Sequence, residues 1–280
     1  MLNYLCLLGL ALADEATRGI LPEELVKARP AAVAAVAVKP KYQAVAVTPM
    51  RAPSSARQVG VTIWRLRPAG ASEPGARILV QEEGNSTEYA PERVPANANL
   101  RQGDRVRLSI ESPESGYLYV IDRERYADGK RGEPYLIFPT TRTRNGENAV
   151  TAGKLIDLPG QEDRPNFFTL RKSRPDQFGE ELTVLLTPQP IAGLAIGAKA
   201  LALTEQQVSQ WEREWGTAKT ETFELAGGAG KTWTRAEQQA AAGGTRLLTQ
   251  EDPPPQTIYR VAAKAGEPVL VKVSLRYLRR

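Results

Sequence analysis

The sequence predicts a mainly β protein: an antiparallel, immunoglobulin-like β-sandwich with a small two-helix insert and an extended N-terminal tether. Three observations carry this. Past residue 58, apolar side chains recur with a period of two, as in strands that bury one face. Gly, Pro, Asn-Gly and Asp-Gly turn signals interrupt those runs roughly every 8–15 residues. No strand-like run alternates with a helix, which argues against a parallel α/β sheet.

Val59, Val61 and Ile63 alternate with Gly60, Thr62 and Trp64, and Ile78–Gln81 forms a short apolar run. Val106, Leu108 and Ile110 alternate with Arg105, Arg107, Ser109 and Glu111, the pattern of a half-buried strand. Pro113–Gly116 supplies turn chemistry before Tyr117–Asp122, and Asp128-Gly129 turns the chain into Tyr135–Phe138. Leu155–Leu158, Phe167–Leu170 and Leu182–Leu186 read as further short strands. The insert lies at about 204–244. Thr204 to Gln207 is a capping box that opens a helix with Val208, Trp211 and Trp215 on one face, and Gly216 stops it. Thr234 to Glu237 is a second box, opening a helix that closes at Gly243-Gly244. A hairpin ends the chain, with Val269, Val271, Val273, Leu275 and Tyr277 on one face of its last strand. The sandwich domain spans 58–280.

At the N-terminus, Met1–Ala13 is an apolar run closed by Ala11-Leu12-Ala13, the small residues at −3 and −1 of a signal-peptidase site. This predicts a signal peptide over 1–13 and a periplasmic or extracellular product. The single cysteine, Cys6, lies inside that run, so the mature chain would carry none. Residues 14–57 read as an Ala/Pro/Val-rich tether: prolines 22, 30, 40, 49 and 53 forbid a long helix, and Ala and Val offer little mass for a core. Leu21–Lys27 could make one short helical turn there. The competing reading makes residues 41–48 a strand donated to a sheet edge, the chain's own or a neighbour's, which would give a self-assembling homo-oligomer.

Composition excludes much chemistry. The 280 residues contain no histidine, so there is no Ser-His-Asp or Cys-His machinery, no HExxH site and no imidazole switch. One cysteine removes internal disulfides and thiolate zinc cages. The net charge of +5 is spread over small clusters at Arg142–Arg144, Arg171–Arg174 and Arg276–Arg280. With aromatics at 6%, this is not the basic, aromatic-interleaved face of a nucleic-acid binder. It suits a protein partner or an anionic envelope polymer.

Four motifs could suggest more. Ala226–Thr232 imitates a phosphate-binding loop, but Leu225 stands where the first glycine belongs, so a flexible Gly linker is the simpler reading. Asp122, Asp128 and Glu133 surround the loop 123–132, yet aligning Gly129 with the calcium-loop glycine puts Tyr126 and Tyr135 at ligand positions. No metal and no cofactor is therefore expected. A carboxylate pair for an envelope hydrolase needs only Asp and Glu and stays open as an alternative. Trp211 and Trp215 could stack on a sugar or partner, or form the stripe that docks their helix. The tentative interaction surface is Arg123, Arg125, Tyr126 and Asp128 of the loop together with Trp211 and Trp215.

The segments Leu100–Asp104, Val106–Ile110, Gly116–Asp122 and Leu136–Pro139 carry a resemblance. Their GD-x-V, GYLYV, DG and LFP-like motifs resemble a bacterial domain-of-unknown-function family over about residues 95–190. The resemblance implies an exported all-β module, often appended to caspase-like peptidase, kinase or repeat domains, with no catalytic residues to carry over. The pattern of the residues themselves agrees, with Gly116 and Gly129 at turns and Tyr117, Tyr119, Ile137 and Phe138 as candidate core residues. The function expected from the sequence is that of a non-enzymatic binding or scaffolding protein of the cell envelope.

Overall fold

A computed structural model describes residues 21–32, 56–70, 75–82, 85–241 and 246–278. The signal peptide expected over 1–13, Cys6, the strand-donor reading of 41–48 and most of the expected tether fall outside these residues. Two sheets face each other. The first has eight strands: β1 (Arg57–Pro68), β2 (Ile78–Glu82), β3 (Asn85–Val94), β5 (Arg105–Glu111), β9 (Leu155–Leu158), β10 (Phe168–Thr169), β13 (Thr220–Glu224) and β14 (Thr257–Val261). The second has seven: β4 (Asn99–Leu100), β6 (Gly116–Tyr126), β7 (Tyr135–Phe138), β8 (Ala149–Val150), β11 (Gln177–Thr187), β12 (Leu201–Ala202) and β15 (Val269–Tyr277). The pairing is antiparallel except between β15 and β4. The predicted sandwich is the observed one.

Twelve residues let β1 organise the first sheet. Arg57–Val61 pairs with β14 and Ile63–Pro68 with β3 along one edge, while Gly60–Leu66 pairs with β5 along the other. Its odd-numbered Val59, Val61 and Ile63 meet Val106, Leu108 and Ile110 of β5 and, across the gap, Leu182 and Val184 of β11 and Val271 and Val273 of β15. This shared interior is where apolar area leaves water, at about 25 cal/mol per Å². Phe138 sits in it fully buried with Ile137 against it, whereas Tyr119 is buried on the other face of its sheet.

One alternation misleads. The polar face of β5 is not solvated: Arg107, Ser109 and Glu111 are as buried as the apolar face. The reason is a covering layer. Trp64, Leu66, Ile78, Val80, Trp233 and Leu248 form a second apolar cluster over that face. It is closed by α3 (Arg235–Ala241), whose capping box is complete: Thr234 N–H donates to Glu237 and Glu237 N–H to Thr234 Oγ1, while α1 (Leu21–Lys27) sets Leu25 over Gly60 of β1.

Residues 21–32, read within the tether, are docked: Leu25 is fully buried and Arg29 is 2% exposed. The insert over about 204–244 carries its two expected helices, α2 (Glu205–Trp215) and α3, with β13 between them joining the first sheet beside β14. The helices serve opposite faces of the molecule, α2 covering Ile121, Leu136, Leu185 and Leu270 of the second sheet through Val208 and Trp211. The glycine-rich stretch is not a free linker. Gly230 N–H donates to Arg93 O and Arg93 N–H to Lys231 O, so it pairs with β3 and delivers Trp233 into the covering layer.

Candidate functional site

The β6–β7 hairpin and α2 are neighbours, so the structure brings together the two halves of the surface expected from sequence. Arg123, buried on the outer face of β6, donates to Glu205 of α2 at 2.5 Å, and its partner's carboxyl is held below the usual range chiefly by that hydrogen bond. Arg131 reaches Glu212 at 3.1 Å, and Lys272 of β15 reaches the same carboxylate at 2.8 Å. Burial pushes Glu212 up, but these cations win and its pKa falls. Arg125 donates to Glu181 at 2.6 Å and lies 5.6 Å from the Phe178 ring centre. The helix is clamped to the sheet by mutually satisfied charges.

The aromatic pair divides. Trp211 is buried in the α2 contact, and the half-buried Trp215 stacks on it at 5.9 Å with the planes 9° apart. Stacked rings that already face each other present little free face, so the docking stripe describes Trp211 better than a sugar platform does. Tyr126 is buried, donates to Glu124 and lies under Arg174, whose guanidinium is 4.0 Å from the ring centre. Asp128 caps the hairpin by accepting from Lys130 N–H, which with Arg174 at 3.4 Å lowers its pKa.

Beside Tyr126 and Asp128 the sandwich end opens into a cleft of about 880 Å³. Three backbone ties build it. Ala127 N–H donates to Asp176 O, Gly103 N–H to Leu170 O and Leu278 N–H to Leu100 O, joining the hairpin, the 170–178 segment, the β4–β5 turn and the chain end. Gly103 sits in that turn at φ +92°, a left-handed conformation that favours glycine. Phe178, Pro175 and Leu278 give the cleft an apolar side, with Leu278 41% exposed. Arg101 and Lys172 give it a cationic side. Among the described residues neither has an ion-pair partner, whereas the neighbouring Arg174 is paired with Asp176 at 2.8 Å. Sequence reasoning missed Arg101, Lys172, Phe178 and Leu278. The cluster Arg171–Arg174 was visible, but which second loop it faces is set by pairing between β10 and β5.

Three carboxyls converge nearby on the inner face of the second sheet: Asp122 and Glu124 of β6 and Glu180 of β11, where Glu180 and Glu124 are direct cross-strand partners. Burial, then Glu180 and Glu124, raise Asp122 to about 8, and burial raises Glu180. Tyr277 donates to Glu180 and Tyr126 to Glu124. These acids face the sandwich interior, and the cleft is lined by other residues. Among the described residues no group of three or more Asp, Glu, His or Cys is placed to hold a metal ion.

The remaining ionisable cluster is interior. Arg107 donates to Asp157 at 3.0 Å and to Asn166 O, Ser109 donates to Asp157 at 2.6 Å, and Trp64 Nε1–H donates to Ser109. Arg93 pairs with Glu237 and lies 5.2 Å from the Trp64 ring centre. Arg29 grips Glu111 with two bonds of 2.7 and 2.8 Å. Burial raises both Glu111 and Asp157.

The fold and site together define a charge-braced β-sandwich with an open cationic cleft at one end. Compared with family models, curated proteins and solved structures, the chain matches none. The likeness over residues 95–190 rests on its quoted motifs alone. Here they form the β4–β5 turn, β5, β6, the hairpin tip and β7.

Proposed function

We propose that this protein is an exported, non-enzymatic binding or scaffolding module of the cell envelope, and that its cleft takes an anionic partner with apolar character. The observation that carries this is the pair Arg101 and Lys172, unpaired among the described residues, beside Phe178 and Leu278. The surrounding cations Arg123, Arg125, Arg131 and Arg174 are all engaged by carboxylates. A free cation next to exposed apolar surface attracts a polyanion and adds contact area. No helix among the described residues is long and apolar enough to cross a membrane.

The test is retention on an immobilised acidic polymer such as polyglutamate, with an uncharged polymer as control. Wild type is expected to bind and to elute as salt rises. The Arg101→Glu/Lys172→Glu variant is expected to lose about tenfold in affinity, since two reversed surface charges supply on the order of 1–2 kcal/mol. Equal retention of wild type and variant would argue against the cleft. An N-terminus beginning at Asp14 in the secreted fraction checks export.

A further inference from the structure

Residues 21–32 lie on the first sheet the way a peptide lies on a receptor. Leu25 packs over Gly60 of β1, where a Cβ would come within 2.4 Å of Pro255 and 3.5 Å of the Leu25 side chain. Glycine at this position makes room for Pro255, and Leu25 packs beside it at ordinary contact distance. Four residues on, Arg29 is read at every polar edge of its guanidinium. Two bonds go to Glu111, one of 2.7 Å goes to Asp252 O, one of 3.0 Å to Pro253 O and one of 3.3 Å to Thr249 O. The backbone is read too: Gln250 donates its side-chain amide to Lys27 O and Arg29 O and its N–H to Pro30 O. Gln58 donates to Glu24 at 3.1 Å.

The backbone of the receptor side is held without the segment. Glu111 is fixed on β5 between strands β1 and β9. The 249–253 loop is held by its own bonds, Asp252 accepting from Thr249 N–H and from Arg246. In sequence, residues 33–56 separate the docked segment from β1, a length that at about 3.3 Å per residue could reach on the order of 80 Å. We infer that this groove is a docking site for a helical turn carrying a Leu, followed just past its end by an Arg four residues on. Its ligand is the chain's own 21–32 segment, separable from the sandwich and exchangeable for the same segment in trans.

The experiment uses the full chain with a protease site introduced within residues 33–55. After cleavage, the sandwich fragment is expected to keep its fold by circular dichroism and to exchange its released segment for a labelled peptide of residues 21–32. An Arg29→Ala peptide is expected to bind at least about 100-fold more weakly, because it leaves Glu111 buried without its partner. A Leu25→Ala peptide is expected to be weakened by about tenfold or more. In the uncleaved protein, amide exchange should expose Val26–Arg29 well before the strands of either sheet. A sandwich that unfolds on cleavage, a peptide whose binding ignores Arg29, or α1 amides that exchange only with global unfolding would each overturn the inference, since the segment would then be core rather than ligand.

Discussion

Replacing Arg107 with methionine keeps most of the side-chain volume and removes the charge. Arg107 lies on the face of β5 that sequence alternation assigns to water, and an exposed strand arginine changed this way moves stability by no more than about 0.5 kcal/mol. The structure gives a different number. The Arg107 and Asp157 side chains are 1% and 2% exposed, so the substitution leaves a buried carboxylate with only the Ser109 hydroxyl. Breaking a buried pair from one side costs about 3–5 kcal/mol, a large share of the roughly 5–15 kcal/mol that holds a domain folded. The stacking of the guanidinium over Trp233, 5.6 Å from the ring centre, is lost as well.

The assay is urea unfolding read by fluorescence of the buried Trp64 and Trp233. At an m value of about 2–3 kcal/mol/M, the midpoint is expected to fall by about 1–2 M. Two internal controls sharpen it. Asp157 already sits above the ordinary 3.8 because of burial, and losing its cation raises it further. A carboxyl raised in the folded state stabilises below its unfolded pKa, and that contribution disappears as pH rises through the folded value. The deficit is therefore larger near about pH 8 than near about pH 4.5. Adding Asp157→Asn to Arg107→Met removes the stranded charge and is expected to recover about 2 kcal/mol. A cost below about 1 kcal/mol with no pH dependence and no recovery would refute the buried ionic layer.

The other expectations are simpler. Asp122, raised to about 8, makes the wild type lose stability as pH climbs from its ordinary 3.8 through that value, so Asp122→Asn should flatten the melting temperature between about pH 5 and 9; a parallel decline in both proteins would contradict it. Trp211→Ala empties the α2 contact and should cost about 3–5 kcal/mol, whereas Trp215→Ala loses mainly a half-exposed stack and should cost about 1 kcal/mol. Comparable losses in denaturant titrations would mean the helix docks differently.

How much of this was legible is clearest at β5. Val106, Leu108 and Ile110 announced a strand with one face inward, and the strand is there with those residues in the interior. The same alternation implied water on the other side, because period reports which residues share a face and not what lies above it. Arg105 is half-buried, while Arg107, Ser109 and Glu111 are covered by Trp233, α3 and a segment from the N-terminus. Each covering piece is distant in sequence and individually unremarkable. The site behaved likewise: Asp128-Gly129 was readable as a turn, but the cleft next to it depends on Arg101 and Lys172 being brought to one end of the sandwich by two loops.

Local signals settled local matters. Turn residues, capping boxes and two-residue alternation are written in neighbours a few positions apart, and from them came the sandwich, its strands and the starts of α2 and α3. Pairing partners, the covering layer, the docking of Arg29 on Glu111 and the cation pair at the cleft were decided only in three dimensions. Each depends on which distant surfaces exclude water from one another, and no spacing along the chain encodes that contact.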